Sequence, residues 1–167
     1  MSFLIDATDL YWIDGSKDNP EDLCLHGHAV VHIANKVFEY DATVSSTALY
    51  LLKSLSEEHL IGQENQMLPC CGHFLIANEG LDNVVILGCP NGIDWTIKHN
   101  DDTIDIELED GTKDRIAFDE YKTEVFRFAD KIEAFYNACT PKVIPDDTFW
   151  KNGYVAFWNE WHSRRSR

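Results

Sequence analysis

Seven histidines and five cysteines are the side chains in this 167-residue chain best suited to metal or nucleophilic chemistry. His26, His28 and His32 share the parity of a strand, so an unbroken strand would project all three from one face, where imidazoles can hold zinc. Reach argues against a single ion. At roughly 3.3 Å per residue, His26 and His32 stand about 20 Å apart, and Gly27 weakens the strand between them. They read as polar-face histidines.

The run Pro69-Cys70-Cys71-Gly72-His73 offers soft ligands, and Cys89 could join Cys70 or Cys71 and His73 in a zinc site. Adjacent cysteines on a strand point apart, however, and no C-x-x-C pair accompanies them. Buried thiols are the expectation, with no metal or other cofactor assigned. A nucleophilic cysteine would need a local family signature, and none surrounds Cys24, Cys70, Cys71, Cys89 or Cys139. The phosphate-binding glycine loops, the H-E-x-x-H helix and the G-x-S-x-G elbow do not occur. No catalytic residue is assigned.

Charge is the stronger signal. Asp and Glu number 29 against 14 Lys and Arg, a formal net charge of -15. Such a field repels nucleic acid and anionic membrane and draws in basic surfaces. The sharpest acidic feature is Asp105, Glu107 and Glu109, alternate residues of a strand and therefore a ladder of carboxylates spaced by about 6.6 Å. Asp101, Asp102 and Asp110 flank it at the turns. These six are the candidate partner-binding residues. With a three-residue turn after the strand, Lys113 and Arg115 fall on the same face and should partly cancel the ladder, moving the free charge to its rim.

The elements that must position these groups follow from periodicity. Residues 28 to 40 read as a hairpin broken near Asn35 and Lys36. Ser45 and Ser46 offer N-caps to a helix over about 46 to 58, carrying Ala48, Leu51, Leu52 and Leu55 at helical spacing. FLIA at 74 to 77 and NVVILG at 83 to 88 read as short buried strands. Strict alternation from Thr103 to Glu109 gives a strand with one dry face. A two-residue turn at Asn100-Asp101 would set Ile97 opposite Ile104 and Trp95 opposite Ile106. After it, a three-residue turn around Asp110-Gly111 keeps Ile104 and Ile106 on the face of Ile116 and Phe118. From Asp119, the expected N-cap, the stripe through Tyr121, Val125, Phe128, Ile132 and Tyr136 makes a long helix. A last helix carries Trp150, Tyr154, Phe157, Trp158 and Trp161, with Phe149 and Trp161 at the exposed margins of its stripe.

The expected fold is therefore one α+β domain over residues 1 to 167, a mainly antiparallel sheet with helices packed on one face. The amino-terminal stretch, interrupted by Asp6 and Asp9 and lacking a basic start, reads as neither export signal nor membrane span. An odd cysteine count fits free thiols in a reducing cytoplasm.

The segments GCPNGIDWTIKH at 88 to 99, EYKTEVFRFADKIEAFY at 120 to 136 and GYVAFWNEWHSRR at 153 to 165 resemble small bacterial immunity proteins of polymorphic or contact-dependent toxin systems. The resemblance implies a cytoplasmic protein that binds its own system's toxin domain, often a nuclease, and blocks its active site or substrate path. Nucleases need basic grooves for phosphate, which suits an acidic inhibitor. It transfers no binding residue. The rival readings are a small metal-dependent hydrolase using the histidines or cysteines above, and a non-catalytic adaptor module.

Overall fold

Alternating burial organises the amino-terminal third of the computed structural model, which describes residues 3–63 and 65–167. Strand β1 (Phe3–Tyr11) buries Phe3, Ile5 and Ala7 and turns the residues between them outward. A bulge follows, where Asp9 adopts a positive φ of 50° and the register slips between Thr8 and Tyr11. Strands β2 (His26–Ile33) and β3 (Lys36–Ala42) form the expected hairpin around Ala34 and Asn35 and complete a three-stranded antiparallel sheet in the order β1-β2-β3.

Helix α1 (Val44–Ser54) is buried at every position but Lys53. Buried hydroxyls seek backbone partners, and the two serines expected as caps find theirs outside the helix. Ser45 and Ser46 lie inside the first turn. The Ser45 hydroxyl accepts the Leu25 N–H at 3.1 Å, and the Ser46 hydroxyl donates to the Gly72 carbonyl at 2.6 Å. Thr43 holds the cap position without a side-chain bond, and the helix ends four residues before the expected 58.

Two short strands, β4 (Leu68–Pro69) and β5 (Phe74–Ala77), come next, followed by β6 (Val84–Leu87) and β7 (Gly92–Ile93). β5 pairs with β6 and β4 with β7, all antiparallel. Expected as buried strands, β5 and β6 instead bury alternate residues: Leu75, Val84 and Ile86 face inward, while Phe74, Ile76, Val85 and Leu87 are exposed. Their continuous apolar run reflects one dry face and one apolar wet face.

Strands β8 (Thr96–Asn100), β9 (Thr103–Glu107) and β10 (Lys113–Ala117) make a second three-stranded sheet. The β8–β9 turn is Asp101-Asp102, one residue beyond the expected position, so Ile97 faces Ile106 and His99 faces Ile104. Asp101 takes the left-handed conformation at φ 50°, and the Thr103 hydroxyl donates to the Asn100 carbonyl at 2.8 Å. The slip is two residues in pairing, so every side chain keeps its face. Between β9 and β10 the Leu108 N–H donates to the Thr112 carbonyl, closing a three-residue loop in which Gly111 supplies the positive φ, 81°. Ile104 accordingly faces Ile116.

Helix α2 (Phe118–Ala138) buries the expected stripe against β1 and α1. Its cap residue is Ala117. Asp119, expected there, stands in the first turn with Glu120, where carboxylates favour the positive helix end. Helix α3 (Thr148–Arg165) is capped by Asp147, whose carboxylate accepts the Phe149 and Trp150 N–H groups. Phe149 is exposed as expected, but Trp161 is fully buried. Its ring packs between Phe157 and Trp158, and its indole N–H reaches the Glu133 carboxylate at 3.1 Å.

The α+β class with antiparallel pairing throughout thus stands, built from four small sheets instead of one. Two of their edges are held by buried glutamates. Glu124 of α2 accepts the Ile5 N–H at 2.9 Å, while Arg127 donates to the Ile5 carbonyl. Glu160 of α3 accepts the Val84 N–H at 2.8 Å. Side chains here complete ladders that a neighbouring strand would otherwise fill.

Candidate binding face and thiol cluster

The wet face of β8–β10 carries the candidate carboxylate ladder, and the side chains across it are mostly basic. Asp105 lies between Lys98 on β8 and Arg115 on β10. Arg115 grips it through two bonds, Nε to Oδ1 at 2.5 Å and Nη2 to Oδ2 at 2.9 Å. That guanidinium holds the Asp105 carboxyl below its ordinary range. Glu107 lies opposite Lys113, with the charged atoms 3.4 Å apart. Three cations therefore face two anions, and this surface is not negative. The cancellation expected from Lys113 and Arg115 is present and Lys98 extends it.

At the ladder's far end the acids divide. Asp110 forms an ion pair with Lys36 at the start of β3 and accepts the Thr112 N–H at 3.0 Å. Asp114 accepts the Ala34 N–H at 3.1 Å. Both carboxylates tie the β9–β10 hairpin to the β2–β3 turn, leaving Glu109 exposed beside them.

Asp101 and Asp102 occupy the opposite end. The Asp102 carbonyl accepts the Phe118 N–H at 2.8 Å, which brings this turn against the first turn of α2. Asp101, Asp102, Asp119 and Glu120 are all exposed there, and no ion pair involves any of them among the described residues. Four exposed carboxylates without an ion-pair partner among the described residues thus gather at this corner, two from the turn and two from the start of α2. Asp119 was legible only as a helix N-cap and Glu120 not at all, because their nearness to the turn depends on the Phe118–Asp102 bond.

The histidines stay apart. His26 and His28 do share one face of β2. His26 stacks on Tyr11 at 5.6 Å, and burial lowers its pKa. His28 lies 2.9 Å from an Asp41 oxygen, and that bond raises its pKa, helped by the charges of Asp41, Glu39 and Asp9. His32 is exposed further along.

The cysteines behave otherwise. Cys70 follows β4 in a bend and Cys71 in irregular chain instead of a strand, so their side chains need not diverge, and β6 ends by delivering Cys89 beside them. The three sulfurs all lie within 4.8 Å of one another. None of the three is buried, contrary to the expectation of buried thiols; among the five, Cys24 alone is. His73 is not in the group, and its ring packs on Phe74 at 4.7 Å.

Backbone bonds lock this arrangement. The Cys70 N–H donates to the Asn91 carbonyl at 3.0 Å, and the Cys89 N–H donates to the Cys71 sulfur at 3.0 Å. Gly88 permits the approach, since a Cβ there would stand 1.8 Å from the Cys71 carbonyl oxygen. Hydrogen bonds from the Cys71 thiol, the Asn91 backbone and the Cys70 thiol lower the Cys89 pKa to about 7. The cluster adjoins an open groove of about 590 Å³, lined by Cys70, Cys71, His26, His73, Tyr11 and Trp150 among others.

No helix among the described residues is long and apolar enough to cross a membrane. No family model, curated protein or solved structure matches the chain.

Proposed function

We propose that this chain is a cytoplasmic bacterial immunity protein, which binds the toxin domain of its own system, of the nuclease class, and covers a basic active-site or substrate surface. The observation that carries the reading is the corner of Asp101, Asp102, Asp119 and Glu120, four exposed carboxylates with no cationic partner among the described residues, in a chain of net charge -15. A nuclease presents lysines and arginines for phosphate, and an acidic corner can occupy that place. Its long-range field accelerates encounter, while closer contacts set how slowly the complex separates. The resemblance of segments 88 to 99, 120 to 136 and 153 to 165 to immunity proteins points the same way.

The test is co-expression with the carboxy-terminal domain of a toxin encoded beside this chain. Restored growth and a one-to-one complex are expected. Replacing the four corner acids by lysine should slow association, most at low salt, where screening is weakest. If the neighbouring toxin neither binds nor is inhibited, the reading fails. An association rate indifferent to ionic strength would remove the role given to the corner.

A further inference from the structure

We propose that Cys70, Cys71 and Cys89 form a zinc site of three thiolates, with its fourth position open to water or to a donor from outside the chain. The geometry comes close to what the ion needs. Tetrahedral zinc with Zn–S bonds of about 2.3 Å sets its sulfurs about 3.8 Å apart. Three sulfurs within 4.8 Å of one another reach that spacing when each moves inward by at most about 0.6 Å.

Core packing does not account for the gathering. Unligated cysteines are among the most buried residues of folded proteins, and these three are exposed or half-buried. Bringing them together also has a structural cost, since Gly88 must give up a side chain and two loops 18 residues apart must be pinned. The pins suit a metal centre. An N–H donating to a sulfur, as Cys89 does to Cys71, is the kind of outer contact that orients a thiolate and tempers its charge. Behind it the Ser46 hydroxyl fixes Gly72, the Pro69 carbonyl accepts the Thr43 N–H, and the two-residue pairing of β4 with β7 holds both loops to the core.

Binding is an exchange of protons for metal without oxidation. Aqueous Zn²⁺ loses water ligands, three S–H bonds break, three Zn–S bonds form, and three protons pass to solvent, leaving a site of net charge -1 when water fills the fourth position. A position left open in this way is the arrangement of zinc sites that act on, or are completed by, another molecule. Cys70 and Cys71 line the groove beside His73 and Trp150, where a bound partner or small ligand could supply the last donor.

Cobalt(II) titration of the reduced, chelator-stripped full chain tests this, with magnesium in excess to occupy the acidic surface. One equivalent should give thiolate-to-cobalt charge-transfer absorption in the near ultraviolet and the intense visible bands of tetrahedral cobalt, both bleached by zinc. C70S, C71S and C89S should each weaken binding by more than the roughly 10–100-fold that loss of an outer supporting group causes. C24S and C139S should not. Zinc should also shield Cys70, Cys71 and Cys89 of the unaltered chain from alkylation while Cys139 stays reactive, a readout independent of how the variants fold. Absence of the charge-transfer band, its persistence in C89S, or equal alkylation of all four thiols with and without zinc would overturn the proposal.

Discussion

Cys89 donates its backbone N–H to the sulfur of Cys71, 18 residues earlier, and the Cys71 thiol in turn lowers the pKa of the Cys89 side chain. The two thiols therefore differ although they touch. Cys71 receives the Cys89 N–H, which favours its thiolate, but the bond its own thiol gives to Cys89, burial and the neighbouring charge outweigh this and raise its pKa.

Selective alkylation follows. In the metal-free reduced protein, Cys89 should react with iodoacetamide at a rate that rises through a half-maximum near pH 7, because the thiolate is the nucleophile. C71A removes the principal donor and should move that midpoint toward the ordinary thiol value of about 8.5. Peptide mapping at pH 7 reads both. Labelling of Cys89 no faster than that of Cys139 would contradict the assigned donor network.

Gly88 sets the geometry on which this depends. A methyl group at that position would meet backbone, the Cys71 carbonyl at 1.8 Å, and backbone cannot swing aside as a long side chain can. G88A should cost about 1–3 kcal/mol, the usual penalty of overpacking, measured by urea denaturation. It should also erase the selective reactivity of Cys89. A variant as stable as the parent with its labelling unchanged would show that the two loops are not held as described.

Much of the β8–β10 sheet was legible because a period of two survives errors of register. The turn was misplaced by one residue, yet Ile97, Ile104, Ile106 and Ile116 all remained on the dry face. Asp110-Gly111 marked the hairpin, and matching the faces of Ile104 and Ile116 set its loop at three residues. The thiol cluster was legible only as a possible zinc set that included His73, since the bend after β4 and the two-residue pairing of β4 with β7, which help bring Cys70 and Cys71 to Cys89, leave no periodic trace. The burial of Trp161 and the capping by Asp147 depend on where α2 and the loop before α3 lie, which no local pattern in the helix records. Asp110 reads locally as a free turn carboxylate, and only the approach of Lys36 from 74 residues away removes it from the rim.

His26 and His28 lie two residues apart and should titrate in opposite senses. The folded pKa of His28 is raised by Asp41, so its contribution to stability is complete below the unfolded value of about 6.5 and is lost as pH climbs through the folded value. Burial lowers the folded pKa of His26. Its contribution is complete above about 6.5 and is lost as pH falls through the lower folded value. Proton NMR should place the two midpoints on either side of 6.5. D41N should bring His28 down and leave His26 in place; coincident midpoints in the unaltered protein would refute the assignment.

Glu160 is the carboxylate on which the α3 contact with β6 turns. It is 2% exposed, and its two oxygens accept from the Val84 N–H at 2.8 Å, Arg164 Nε at 2.7 Å and Asn83 Nδ2 at 3.0 Å, with Lys53 Nζ 3.2 Å away. Removing it leaves a strand-edge amide and a nearly buried guanidinium without their shared acceptor. Arg164 keeps its pair with Glu57 and its bond to Ser56, so the cost is that of buried donors left unsatisfied, about 1–3 kcal/mol. E160A should lose stability in that range by urea denaturation. E160Q should lose less, since its amide oxygen can still accept the Val84 N–H while the charge opposite Arg164 and Lys53 disappears. Hydrogen exchange at Val84 separates the two: fast in E160A, slow in E160Q. An E160A loss under about 1 kcal/mol, typical of an exposed pair, would mean that water already reaches this carboxylate and that β6 is held by its apolar face alone.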